Sequence, residues 1–226
     1  MTWIILIPIA ILVLAVIIGW KRGFTKMLVS LLAMVIAIIL TWIFTPMVKN
    51  LITDNTTLDE SMGKKIEESL LKNVETDEEV DEKINRFPLP ESIKNPIRAS
   101  LEQLSTGMTK KEALGLLLAN VILTALISLA LFIIFMILIH LLGKLLDLVN
   151  RIPGFKQVNG FLGMVLALAE AVLVIDLFLL ILVPLSGTSV GQYLVDEIHK
   201  SKILTWLYEN NFLVYLFNLA KQKIFG

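Results

Sequence analysis

The chain has 226 residues, of which 56% are hydrophobic, and its 20 basic and 20 acidic residues leave no net charge. Only 18% of the residues are charged, against about a quarter in ordinary soluble domains, and the mean hydropathy is +0.80. Zero net charge removes the global electrostatic reason to expect a nucleic acid partner. The sequence has no cysteine, which excludes disulfides and thiolate metal sites, and we expect no metal or other cofactor.

Four long apolar runs predict membrane-spanning helices. A helix needs about 20 mostly apolar residues to cross a hydrocarbon core about 30 Å thick. Residues 2–20, 27–48 and 113–143 contain no Asp, Glu, Lys or Arg, and a fourth run over 157–184 is interrupted only by Glu170 and Asp176. Lipid offers the backbone no hydrogen-bond partners, so the runs are expected to be helical. The predicted fold is an all-α integral membrane bundle of about four transmembrane helices.

The runs divide the chain into four parts. These are a first transmembrane helix pair at 1–48, a helical insert at 49–112, a second transmembrane pair at 113–185 and an amphipathic C-terminal segment at 186–226. Capping boxes beginning at Thr76 and Thr109 predict helix starts in and just after the insert. An apolar stripe at four-residue spacing predicts another insert helix: Leu58, Met62, Ile66 and Leu70.

The insert and the C-terminal segment each present an amphipathic surface. The insert is either a cap packed on the bundle or a docking surface for a partner, and we favour the cap because amphipathic faces usually pack within their own protein. The C-terminal segment is rich in aromatic residues, which suit the boundary between membrane and water. It is predicted to form interfacial or re-entrant helices. The aromatic residues are Trp206, Tyr208, Phe212, Tyr215 and Phe217.

The distribution of basic residues predicts the orientation of the bundle. Both short loops between neighbouring runs are basic, with Lys21, Arg22 and Lys26 in the first and Lys144, Arg151 and Lys156 in the second. The positive-inside rule therefore puts both loops in the cytoplasm. The two termini and the insert, which has 10 basic and 14 acidic residues, are then predicted to be extracytoplasmic.

Two acidic residues inside the fourth run are candidates for function. An acid near the centre of the bilayer costs about 2.5–3.5 kcal/mol on insertion scales, so Glu170 and Asp176 are functional candidates by default. Their six-residue separation puts them about 120° apart around a helix, so they need not face the same neighbour. Glu170 lies beside a stripe of small residues that permits another helix to approach closely: Gly163, Ala167 and Ala171.

A polar stripe on the third run suggests partners for these acids. Asn120, Thr124 and Ser128 recur every four residues, and antiparallel pairing of the third and fourth helices would bring them to the depth of the acids. The acids then either hydrogen-bond to this stripe and hold the helices together, or line a path for protons or cations. Both interpretations remain open at this point.

A sequence pattern typical of serine hydrolases is present but out of context. Gly187 to Gly191 matches the nucleophile motif, and Asp196 and His199 follow in hydrolase order. The nucleophile elbow requires a strand before the serine, whereas a transmembrane helix is predicted there. The sequence also lacks the clustered ligands expected of a membrane-embedded enzyme. The chain is therefore predicted not to be an enzyme.

Short motifs at the turns of the chain resemble a known family. Arg22-Gly23-Phe24 follows the first run, Leu89-Pro90 precedes a helix leading to the third, and Ile152-Pro153-Gly154-Phe155 leads into Asn159-Gly160 and Gly163 at the start of the fourth. This pattern is similar to the colicin V production protein (CvpA) family of bacterial inner-membrane proteins. The resemblance implies a multi-pass protein of the bacterial cytoplasmic membrane, with a role in toxin production or secretion and in envelope homeostasis. It brings no catalytic residue with it.

The motif residues have architectural interpretations. Arg22 is expected to anchor a cytoplasmic turn, Gly23 to permit a tight reversal and Asn159 to cap the fourth helix. Gly160 and Gly163 are expected to permit close packing. The lipid bilayer is the expected partner, with other membrane proteins or a second copy of the chain as candidates. The alternative function is a channel or transporter for a small solute, protons or cations that uses the intramembrane acids.

Overall fold

The structure, a computed structural model, describes residues 3–103, 107–145 and 156–215, and these residues form helices without any strand. A 3-10 turn at Trp3–Ile5 precedes helices α1 (Leu6–Asn55), α2 (Leu58–Leu70), α3 (Asp77–Arg86), α4 (Glu91–Glu102), α5 (Lys110–Leu145), α6 (Lys156–Leu185), α7 (Ser189–His199) and α8 (Lys202–Glu209). The all-α prediction is confirmed for these ranges. Three predicted features lie outside them: the basic loop around Arg151, the Ile152-Pro153-Gly154-Phe155 motif and Phe217.

Three helices of the described chain are long and apolar enough to cross a membrane: Trp3–Asn55, Lys110–Leu142 and Asn159–Leu185. The sequence predicted about four such helices, and the difference lies in α1. Its backbone is interrupted at Gly23, which has φ 75° and ψ 170°. We call residues 6–22 the first arm of α1 and residues 24–55 its second arm.

The two arms run in opposite directions along α6. Gly19, near the end of the first arm, lies against Gly163, whereas Ile4, in the turn just before this arm, shares a buried cluster with Leu179. In the second arm the order is reversed, because Gly23 lies against Asn159 and Ser30 binds Glu170. The chain therefore folds back on itself at Gly23, as the sequence suggested, and both arms pack on α6.

The insert helices α2, α3 and α4 pack on one end of the bundle. Their apolar side chains share a buried cluster with Leu114 and Leu118 of α5 and with Val183 near the end of α6. The stripe predicted for α2 is used unevenly: Ile66 is buried, Met62 and Leu70 are partly buried, and Leu58 is exposed. Both predicted capping boxes form, at Thr76 with Glu79 and at Thr109 with Glu112.

Helices α7 and α8 cover the same end of the bundle as the insert. Val195, Ile198 and Leu204 form a second buried cluster with the N-terminal turn and the last turns of α6. The C-terminal segment, or tail, also contacts the insert, because the Tyr208 hydroxyl donates a 2.8 Å hydrogen bond to the carbonyl of Pro88. We call this the insert end of the bundle, and the opposite end, which contains Gly23, the turn end.

Candidate functional site: small and polar residues inside the bundle

The turn end is built from glycines that leave no room for side chains. A Cβ on Gly19 would lie 2.6 Å from the Cβ of Ala167 and 2.6 Å from the main-chain oxygen of Gly163. A Cβ on Gly163 would lie 2.8 Å from the Cα of Gly23. Gly23 also needs its positive φ of 75°, which other L-residues rarely adopt. The small residues thus set how closely α1 approaches α6.

Asn159 has a different position from the one expected. Helix α6 begins at Lys156, so Asn159 lies one turn inside the helix and does not cap its start. Its side chain lies instead against Gly23, where an added Cβ would meet the amide nitrogen of Asn159 at 2.7 Å. Asn159 therefore does not have the predicted capping role, and its side chain packs against the reversal of α1 instead.

The other motif residues divide into surface and core. Arg22 is exposed at the turn end and Phe24 is half-buried. Ala167 and Ala171 are buried within the bundle. Gly160 is less crowded than Gly163, since a Cβ there would meet Trp20 at 3.5 Å, an ordinary contact.

Glu170 binds the second arm of α1. Ser30 donates a 2.8 Å hydrogen bond from its hydroxyl to Glu170 Oε1. Glu170 Oε2 is buried and has no hydrogen-bond partner among the described residues. The carboxyl group therefore joins α6 to α1, beside the stripe of small residues.

Asp176 binds the C-terminal segment. Asp176 is 2% exposed, and its carboxylate faces the backbone N–H of Phe212. Asn211 donates a 2.9 Å hydrogen bond from its amide to the main-chain carbonyl of Asp176. Asp176 Oδ2 is buried without a hydrogen-bond partner in the described part of the chain. The two acids thus face different neighbours, as their 120° separation allowed.

The polar stripe of α5 binds elsewhere. Asn120 donates to the Leu116 carbonyl of its own helix, and Thr124 donates to the Asn120 carbonyl. Ser128 lies 3.1 Å from the hydroxyl of Thr45 in the second arm of α1. No hydrogen bond joins this stripe to Glu170 or Asp176 within the described residues, so the structure does not bring the expected groups together.

Three polar residues that bind these groups were not anticipated: Ser30, Thr45 and Asn211. Ser30 and Thr45 were visible as hydroxyl residues within an apolar run, the same signal that singled out the stripe on α5. Asn211 carried no such signal, because its partner lies 35 positions earlier in the chain and nothing local marks the pair.

The described residues contain no group of three or more His, Cys, Asp or Glu side chains placed to hold a metal ion. Ser189, Asp196 and His199 lie on one helix, α7. Thr188 caps this helix by accepting a hydrogen bond from the backbone N–H of Gly191. The backbone around Ser189 is therefore a helix start and not the strand-to-helix elbow of a hydrolase.

Long apolar helices, a glycine reversal packed on small residues and acids inside an apolar helix define a helical membrane protein. The sequence profile described as "Colicin V production protein" matches residues 4–74 and 96–211. Because this match covers most of the chain, the protein belongs to the colicin V production protein family. The Leu89-Pro90 turn lies in the stretch between the two matched segments. No curated protein and no solved structure matches the chain.

Proposed function

We propose that this chain is a four-span scaffold of the bacterial cytoplasmic membrane that supports toxin production or secretion by binding other membrane proteins. The carrying observation is that both intramembrane acids bind the chain's own groups on different neighbours. Glu170 accepts a hydrogen bond from the Ser30 hydroxyl. The main-chain carbonyl of Asp176 accepts one from the Asn211 amide, and the Asp176 carboxylate faces the backbone N–H of Phe212. Groups paired in this way hold helices together, and among the described residues they form no continuous polar path. Family membership supports the link to toxin production.

Four crossings are supported by the reversal in α1. A straight helix over the 53 residues of Trp3–Asn55 would be about 80 Å long, far more than the hydrocarbon core of about 30 Å. Two antiparallel arms divide this length into two crossings. The N-terminal turn, the insert and α7 then lie on one side of the membrane, and exposed Lys21, Arg22 and Lys26 lie on the other. The positive-inside rule makes that second side cytoplasmic.

Single-cysteine labelling tests this topology, and the absence of native cysteine makes every introduced thiol unique. Trp3→Cys, Lys26→Cys and Lys72→Cys are each expressed in intact spheroplasts and treated with a membrane-impermeant maleimide. We expect the first and third variants to be labelled directly, and Lys26→Cys only after permeabilisation. Labelling of Lys26→Cys and Lys72→Cys from the same side would contradict the crossing by the second arm.

The alternative function is a path for protons or cations, and one observation supports it. Glu170 Oε2 and Asp176 Oδ2 are both buried without a hydrogen-bond partner among the described residues. Such groups are rare in native structures, and a functional role is one explanation for them. The two acids are separated by about 9 Å along α6, a distance that a chain of waters would have to bridge.

Flux into liposomes separates the two proposals. The full chain is reconstituted as wild type, Glu170→Gln and Asp176→Asn, and proton and cation flux is compared with that of protein-free liposomes. The scaffold proposal predicts no flux above the protein-free control. Flux by the wild type that disappears in either variant, with the fold intact, would replace the scaffold proposal by the transport alternative.

Toxin secretion is tested in a toxin-secreting host that carries the gene. Deletion is expected to lower secreted toxin, and both wild type and Glu170→Gln are expected to restore it. Gly163→Leu serves as the negative control, because a large side chain cannot fit against Gly19 and Gly23. Unchanged secretion after deletion would contradict the proposed role.

A further inference from the structure

At the start of the last described helical turn, residues 212–215, the first backbone donors lie at acceptors of Asp176 and Asn211. The N–H of Phe212 faces the Asp176 carboxylate. The N–H groups of Leu213 and Val214 donate to Asn211 Oδ1 at 3.1 Å and 3.2 Å. The N–H of Tyr215 donates to the Asn211 carbonyl at 3.1 Å. The initial donors of a helix have no partner within the helix itself, so Asp176 and Asn211 together supply what the helix lacks.

This helix start lies inside the bundle. Asp176 is nine residues before the end of α6 at Leu185, about 13 Å along the helix axis. After α7 and α8 the chain returns to this depth, and Asn211 is 2% exposed while Leu213 and Val214 are each 8% exposed. Water cannot satisfy backbone donors there, and an unsatisfied donor in hydrocarbon is strongly unfavourable.

We propose that Asp176 and Asn211 form an intramolecular lock that receives the C-terminal segment where it re-enters the membrane beside α6. Asp176 provides the acceptor for the first backbone donor. Asn211 ties the segment to the Asp176 carbonyl and caps the next two donors. The intramembrane acid thus has a positioning role, which is independent of the protein's part in toxin secretion.

The segment before the lock is anchored at the insert end. Tyr208 donates to the Pro88 carbonyl, and Glu209 Oε2 accepts the backbone N–H of Glu91 at 2.6 Å. These two bonds attach α8 to the first turn of α4 and the turn before it. Asn210 alone separates them from Asn211, so the chain must turn into the bundle over a very short distance. The lock fixes the position at which this turn ends.

Hydrogen–deuterium exchange of the full chain in lipid nanodiscs tests the lock directly. The measured amides are those of Phe212, Leu213 and Val214. We expect slow exchange in the wild type and exchange roughly tenfold faster or more in Asp176→Leu and Asn211→Ala, because each removes acceptors for these amides. Asp176→Asn keeps an acceptor oxygen and is expected to keep most of the protection.

The other acid of α6 provides the matched control. Glu170→Leu removes a carboxyl group of the same helix that binds Ser30 and not the tail, so the amides of Phe212 to Val214 should exchange as in the wild type. Amides of Ala113 to Ala119, in the core beneath the insert, report whether a variant stays folded. If Asp176→Leu loses that core protection, Asn211→Ala decides the question, since it leaves α6 unchanged. Unprotected amides in the wild type, or equal protection in Asn211→Ala, would overturn the proposal.

Discussion

Gly19 and Gly163 approach so closely that a methyl group on Gly19 would lie 2.6 Å from the main-chain oxygen of Gly163. Real Cβ atoms essentially never come this near to another heavy atom, so the first arm of α1 and the start of α6 pack backbone on backbone. Without a hydrophobic force between helices in lipid, such close packing is a main source of association. The contact also places Gly23 beside Asn159, where α1 reverses.

Replacing Gly163 by alanine is expected to destabilise the bundle, because its Cβ would meet the backbone of Gly23 at 2.7 Å. Overpacking of this kind typically costs about 1–3 kcal/mol. Gly160→Ala is the matched control on the same helix, where the nearest atoms are 3.5 Å away. It should be neutral or stabilising, since alanine favours helix by up to about 1 kcal/mol. Equal unfolding midpoints in detergent for the two variants would contradict the packing argument.

Removing the hydroxyl of Ser30 is expected to weaken the contact between the second arm of α1 and α6. Glu170 would lose its hydrogen-bond donor, and interhelical hydrogen bonds in membranes contribute roughly 0.6–1.7 kcal/mol. Ser30→Ala, Glu170→Ala and the double variant are compared by unfolding in detergent. We expect the double variant to lose less than the sum of the single losses. Fully additive losses would show that the two residues do not act as a pair.

The burial of Tyr208 predicts that the protein loses stability at alkaline pH. Burial, with a smaller contribution from the nearby Glu209 carboxylate, raises the pKa of Tyr208 above its ordinary value. A raised folded pKa contributes stability that is complete below the unfolded pKa, about 10, and is lost as pH rises above it. Tyr208→Phe is expected to cost about 1 kcal/mol at neutral pH through the lost bond to Pro88.

The difference between wild type and Tyr208→Phe should therefore shrink when melting temperatures are compared at pH 7 and pH 10.5. Tyr215→Phe is the control, because Tyr215 is 61% exposed and its replacement should change neither value. A constant difference between wild type and Tyr208→Phe across this range would contradict the role assigned to burial.

The exposed aromatic residues of the tail are expected to lie at the membrane boundary. Trp206 is 63% exposed. Nearby, α7 is joined to the 3-10 turn before α1 by a 3.4 Å hydrogen bond from Trp3 to the Tyr193 hydroxyl. In a chain that retains Trp206 alone, with the other three tryptophans changed to Phe, fluorescence should be quenched most by lipids brominated near the headgroup. Quenching by aqueous iodide with none by either shallow or deep brominated lipids would place Trp206 in water instead.

Features that depend on residues close together in the sequence were predictable. The helices of the bundle follow from the length of the apolar runs, because lipid leaves the backbone no other way to satisfy its hydrogen bonds. The capping boxes at Thr76 and Thr109 join residues three positions apart. Gly23 was expected to reverse the chain, and its φ of 75° explains why glycine is needed there. The number of crossings and the sidedness of the insert stay predictions.

Only the tertiary structure decided which side chains meet. Ser30 and Glu170 are 140 positions apart, Thr45 and Ser128 are 83 apart, and Asn211 returns to Asp176 across 35. Periodicity shows which face of a helix a residue occupies, but it does not show which helix covers that face. The acids therefore could be assigned to α6 from the sequence, while their partners depended on how α1 and the tail pack around it.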